Sequence, residues 1–165
     1  LGKNNISDLV VELENIKVQE SVQNREEIIR VLGDLLYKNK YVKDSYTDAV
    51  LEREVIFPTG LQTETIGFAI PHTDVEHVIK SAVAVATLKT PVVFHAMGSP
   101  DDEIDVSIVM MLAINDKNKV IDTLTKVISV LKDQPIIEKM MDAETSEDIQ
   151  TAIYEHFIHI ENQKQ

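Results

Sequence analysis

The hydrophobic period of this chain changes twice, and that change restricts the fold more than any other feature. Between residues 66 and 113 the apolar residues fall in short runs rich in β-branched side chains: Ile66 to Ile70, Ala82 to Leu88, Val92 to Phe94 and Val106 to Ala113. Pro, Gly and Asp bound these runs, which read as strands. Strands that are apolar on both faces need cover on both sides. The flanking sequence supplies it. Ile28, Leu32, Leu35 and Leu36 follow helical spacing before the block. Val120, Ile121, Leu124, Val127, Ile128 and Leu131, then Ile149, Ile153, Phe157 and Ile160, follow it afterwards. The expected fold is α/β, classed as α+β in some schemes: a three-layer α/β/α arrangement with a mixed central sheet flanked by helices.

Cap signals sharpen two of the helices. Asn24 with Glu27 three residues on reads as an N-cap pair for the helix carrying Ile28. Ser45 with Asp48 repeats the signal and opens a second helix through Ala49, Val50 and Arg53, which ends before Pro58. No repeat, low-complexity tract or Pro/Gly/Ser-rich linker divides the sequence, so residues 1–165 are read as one domain. A compact fold of this length buries roughly 70% of its unfolded surface, enough for one core.

Charge and composition narrow the partners. With 16 basic and 28 acidic residues the chain carries a net charge of −12, which repels phosphate backbones and anionic membrane surfaces. Nucleic acid is therefore not an expected partner, whereas a protein with a basic face is. There is no cysteine, hence no disulfide framework, thiol nucleophile or thiolate metal site, which fits a reducing cytoplasm. No apolar run approaches the roughly 20 residues needed to span a bilayer, so a soluble protein without membrane insertion is expected.

Among the five histidines, position separates one from the rest. His156 and His159 lie within the last helical pattern, and His95 follows a short apolar run at a turn; packing or solvation explains all three. His72 instead follows a buried-type strand ending at Ile70 and Pro71, and strand ends are where open α/β sheets present ligand groups. Pro71 fixes its own backbone angle and holds Ile70 extended, so the histidine leaves the sheet in a defined direction. A neutral imidazole can attack phosphorus, and an acceptor on its second nitrogen would fix the tautomer. His72, Asp74 and His77 also invite a zinc reading, although their spacing is not that of a helical metal pair. A hydrolase in which Asp74 orients His72 is a further possibility by residue type, but no Ser or Cys nucleophile motif accompanies it.

Three segments, Leu51-Glu52-Arg53-Glu54, Pro58-Thr59-Gly60-Leu61 and Gly67-Phe68-Ala69-Ile70-Pro71-His72, stand in the order and spacing of a known family. The chain resembles the fructose/mannitol-type enzyme IIA family of the bacterial sugar phosphotransferase system. Thr73 to Val78, Pro91 to Phe94 and Met97-Gly98 are similar to its galactitol-type branch. The resemblance implies a cytoplasmic phosphotransferase without metal or organic cofactor. Its His72 would take phosphoryl on Nε2 from the histidine-containing phosphocarrier protein and pass it to a cysteine of enzyme IIB, in support of sugar uptake.

The resemblance also implies site residues beyond the carrier. Arg53 occupies the position of the family's arginine, and a guanidinium can grip two phosphoryl oxygens at once. Thr59 occupies the threonine position before the active strand and would help shape the pocket. Mannitol-type members place a second histidine before the helix after the last core strand. Here that segment is Asn115-Asp116-Lys117-Asn118, which leaves His77, or else Lys117 or Asn118, as the second site group. A regulatory enzyme IIA-like domain is the alternative within the same fold, and a metal-dependent hydrolase the alternative outside it.

Overall fold

A computed structural model describes Leu9 and residues 11–163. Its elements are β1 (Ile16–Glu20), α1 (Arg25–Lys38), α2 (Tyr46–Ile56), β2 (Gly60–Gln62), β3 (Gly67–Ala69), β4 (Ala82–Ala96), β5 (Ser99–Ala113), α3 (Val120–Leu131), α4 (Gln134–Asp142) and α5 (Ser146–Gln163). The sheet is five-stranded and mixed. β4 and β5 form a long antiparallel hairpin; β1 lies parallel to β4, β3 parallel to β5, and β2 antiparallel to β3.

The period-2 pleat of the strands sorts their side chains into two layers. On one face Ile108, Met110 and Leu112 of β5 pack with Phe68, Val83 and Val85 against α3, α4 and α5. On the other, Val109, Met111 and Ala113 pack with Ala82, Ala84 and Ala86 against α1 and α2. The expected α/β/α architecture is the one observed. Alanines on the second face let the helices approach closely, and the two helices are themselves close. A Cβ on Gly33 of α1 would lie 2.2 Å from Thr47 Oγ1 of α2.

Several local expectations meet refinements. Asn24 caps α1 as the sequence indicates, its side chain accepting from Glu27 N–H at 2.9 Å. Ser45 does precede α2, but its hydroxyl bonds His77 rather than the helix backbone. The runs 82–88 and 92–94 join into one strand whose register slips between Thr87 and Val92. β1, β2 and α4 were not foreseen from the sequence.

Candidate phosphoryl-transfer site

β3 and β5 run parallel, so their carboxyl ends share one edge of the sheet. Ile70 and Pro71 continue β3 there, and Pro71 O accepts from Leu112 N–H at 2.9 Å. His72 then pairs with Leu112 in parallel register, at the last turns of β5. His72 is thus presented from two anchored strand ends.

The imidazole is oriented by its own loop. His72 Nδ1 lies 2.8 Å from Ile70 O. A carbonyl only accepts, so Nδ1 carries the proton and Nε2 holds the lone pair. Nε2 has no hydrogen-bond partner among the described residues. Burial pushes the His72 pKa down and the Arg53 charge adds to this, while the Ile70 bond and Asp74 oppose it. The ring is therefore neutral at pH 7, the form that can act as a nucleophile.

Arg53, near the end of α2, brings a guanidinium close enough for its charge to act on His72. Its Nη1 is 3.8 Å from Asp74 Oδ1, a long contact to a side chain that is 71% exposed, and its guanidinium carbon lies 5.1 Å from the centre of the Phe57 ring. Buried Arg53 Nε has no hydrogen-bond partner among the described residues. An exposed pair of this length binds weakly, leaving the guanidinium donors available to an anion. Arg53 forms no ion pair with its neighbours Glu52 or Glu54 among the described residues.

Thr59 and Glu54 form a buried brace beneath the histidine. Glu54, next to Arg53 on α2, is 2% exposed and Thr59 is 3% exposed. Thr59 N–H donates to Glu54 Oε2 at 2.8 Å, and its hydroxyl donates to Oε1 at 2.9 Å. Thr59 Oγ1 in turn accepts from Ile70 N–H at 3.2 Å. Ile70 is held at its N–H by Thr59 while its carbonyl holds His72. Burial drives the Glu54 carboxyl up to about 7, against the Thr59 hydrogen bonds and the charges of Arg25 and Arg53. Glu54 was not singled out from the sequence, where it stands in the charged run Glu52-Arg53-Glu54.

His77, His95 and His156 have partners of their own. His77 ends a 3₁₀ turn (Val75–His77), its Nδ1 2.8 Å from Ser45 Oγ, and its carbonyl accepts from Lys43 N–H at 2.9 Å. Ser45, just before α2, and Arg53 within it are eight residues apart, about 12 Å along the helix axis. Lys117 and Asn118 lie exposed on the sheet edge that carries His72, in a 3₁₀ turn capped by Asp116. His95 Nδ1 bonds Pro100 O across the hairpin. Buried His156 ties α5 to Asp133 (2.6 Å) and Ser129 (2.9 Å), a structural role as the sequence suggested. Among the described residues no group of three His, Cys, Asp or Glu side chains is placed to hold a metal, so His72, Asp74 and His77 do not form the zinc site their residue types invited. No described helix is long and apolar enough to cross a membrane.

Comparison with known proteins adds to this geometry. A mannitol-specific phosphotransferase enzyme IIA component of Geobacillus stearothermophilus is 30% identical over 151 residues, covering 88% of this chain and 96% of that protein. A galactitol-specific EIIA component of Escherichia coli K12 is 26% identical over 121 residues, 73% of this chain and 80% of that one. The mannitol-specific EIICBA component of Escherichia coli K12 is 32% identical over 139 residues, 82% of this chain. The chain spans about a fifth of that longer protein (21%). Among solved structures, the complex of enzyme IIAMTL and phosphorylated enzyme IIBMTL from Escherichia coli matches with a TM-score of 0.72 at 27% identity, over 88% of this chain and 97% of the matched one. Residues 9–156 match the family described as "Phosphoenolpyruvate-dependent sugar phosphotransferase system, EIIA 2", and the chain belongs to that phosphoryl-transfer family.

Proposed function

We propose that this protein is a cytoplasmic phosphoryl carrier. It accepts phosphoryl on His72 Nε2 from the histidine-containing phosphocarrier protein and delivers it to a cysteine of enzyme IIB, serving the uptake of a galactitol-like sugar. The observation that supports this reading is the His72 Nδ1 to Ile70 O bond, which leaves the Nε2 lone pair unshared.

In the first step Nε2 attacks phosphorus, the N–P bond to the donor imidazole breaks, and the donor nitrogen keeps the electron pair. The proton stays on Nδ1, donated to Ile70 O throughout, so the new N–P bond forms without an added base. In the second step a cysteine thiolate attacks the same phosphorus, the S–P bond forms, and His72 Nε2 leaves with its pair. Charge spreads over three phosphoryl oxygens in each step, and Arg53 grips two of them. Thr59 keeps the Ile70 carbonyl in place. His77 anchors the loop after His72 to the start of α2 through Ser45, and Lys117 or Asn118 supplies a further donor from the same edge. The net charge of −12 favours partners that present a basic face.

The test is label transfer from phosphoenolpyruvate through enzyme I and the phosphocarrier protein. Wild type is expected to take up acid-labile, alkali-stable phosphate and to lose it on addition of enzyme IIB, while His72→Ala takes up none. Uptake by His72→Ala at the wild-type rate would overturn the reading. Phosphorylated protein that no enzyme IIB discharges would assign it to regulation instead.

A further inference from the structure

We propose that Glu54 is a positioning residue for phosphoryl transfer: through Thr59 it fixes the backbone of Ile70, whose carbonyl holds His72 in the Nδ1–H tautomer. This rests on His72 being the carrier and adds a residue two side chains removed from it.

Burying a carboxyl group is costly unless its lone pairs are satisfied. Glu54 is 2% exposed and forms no ion pair among the described residues; Arg25 and Arg53 act on it only through longer-range charge. Among the described residues its hydrogen bonds all come from Thr59: the backbone N–H donates to Oε2, and the single hydroxyl proton lies between Oε1 at 2.9 Å and Oε2 at 3.2 Å. The Thr59 hydroxyl spends its proton on Glu54, so its oxygen can only accept, and what it accepts is Ile70 N–H. The Ile70 carbonyl then accepts a hydrogen bond from His72 Nδ1–H. Pro71 has no N–H of its own and its carbonyl is tied to Leu112, so the peptide carrying His72 is held from three directions. Arg53 and Glu54 are neighbours on α2, so the group that would grip phosphoryl and the group that braces the ring share one rigid element.

The experiment combines rates with ¹⁵N spectra of the His72 ring in Glu54→Gln, Thr59→Val, Thr59→Ser and the Glu54→Gln/Thr59→Val double variant, each checked for folding by thermal melting. Glu54→Gln and Thr59→Val are expected to lower the maximal rate of phosphoryl uptake about 10- to 100-fold, as loss of a group orienting a functional histidine does. KM for the phosphocarrier should be unchanged, and the ring nitrogens should shift from a single Nδ1–H tautomer toward a mixture. Thr59→Ser should recover most of the loss, and the double variant should be no slower than the worse single one. A wild-type rate in Glu54→Gln, a slowed variant with unchanged ring nitrogens, or additive losses in the double variant would each overturn the proposal. Should wild type itself take no phosphoryl at His72, the carrier reading fails, and the ring nitrogens of the unphosphorylated proteins still decide whether Glu54 sets the tautomer.

Discussion

Glu54 gives the fold a pH dependence whose size follows from its position. Its carboxyl is held at about 7 rather than 4.5 because burial penalises the charged form. The folded state therefore binds this proton more tightly than the unfolded state does. That contribution to stability is complete below pH 4.5 and is lost as the pH rises through 7. A rise from 4.5 to about 7, at roughly 1.4 kcal/mol per pH unit, corresponds to about 3 kcal/mol. Glu54→Gln removes the titration. Urea unfolding of the two proteins between pH 4.5 and 8.5 should show wild type losing about 3 kcal/mol relative to the variant, a relative change in midpoint of about 1 to 3 M for a typical urea slope. Arg25 and Arg53, the charges that act on this carboxyl, stay protonated across the range, and subtracting the variant cancels the titration of groups elsewhere. A difference between the two proteins that stays constant across this range would refute the reasoning.

Arg53→Ala is expected to slow phosphoryl uptake by roughly 10² to 10³, about 3 to 4 kcal/mol of transition-state stabilisation, without unfolding the protein, and Arg53→Lys should recover part of it; stopped-flow or quenched label transfer measures both. His77→Ala, which breaks the tie to Ser45, should slow transfer by about fivefold, the equivalent of one hydrogen bond. Lys117→Ala or Asn118→Ala should slow it more, and the reverse order would make His77 the second phosphoryl-binding group. Gly67→Ala should lower stability by about 1 to 3 kcal/mol in a thermal melt. The added Cβ would lie 2.1 Å from Asp105 O, where β3 passes β5.

The parts of the fold that could be read in advance are those whose signal is local. The alternation along β5 sends Ile108, Met110 and Leu112 to one layer and Val109, Met111 and Ala113 to the other, so burial on both faces was visible as an unbroken run. Asn24 and Glu27 marked the start of α1 because a cap is a contact across three residues. β1 is half exposed, its register is interrupted, and Gln19 sits at φ 51°, so no clean alternation marks it. β2 has three residues and is a strand only because β3 lies beside it. α4 did carry a local signal, Asp133 as cap with Pro135 in the first turn, in only nine residues.

The site divides in the same way. His72 was marked by its place after an apolar strand and a proline, and the family resemblance supplied Arg53 and Thr59. Glu54 could not be found from its neighbours in sequence, because its burial depends on the chain turning at Pro58 and bringing Thr59 back against α2. Ser45 looked like a helix cap, and its hydroxyl instead meets a histidine 32 residues away.

The central claim is that the Nε2 nitrogen of His72 carries the phosphoryl group, and an ¹⁵N-resolved spectrum of the phosphorylated protein tests it most directly. Phosphorylation from phosphoenolpyruvate should produce a phosphorus-coupled shift of one imidazole nitrogen, Nε2 of His72, with the Nδ1 proton still protected by Ile70 O. Phosphorus on Nδ1, on another histidine, or on a hydroxyl would contradict the account.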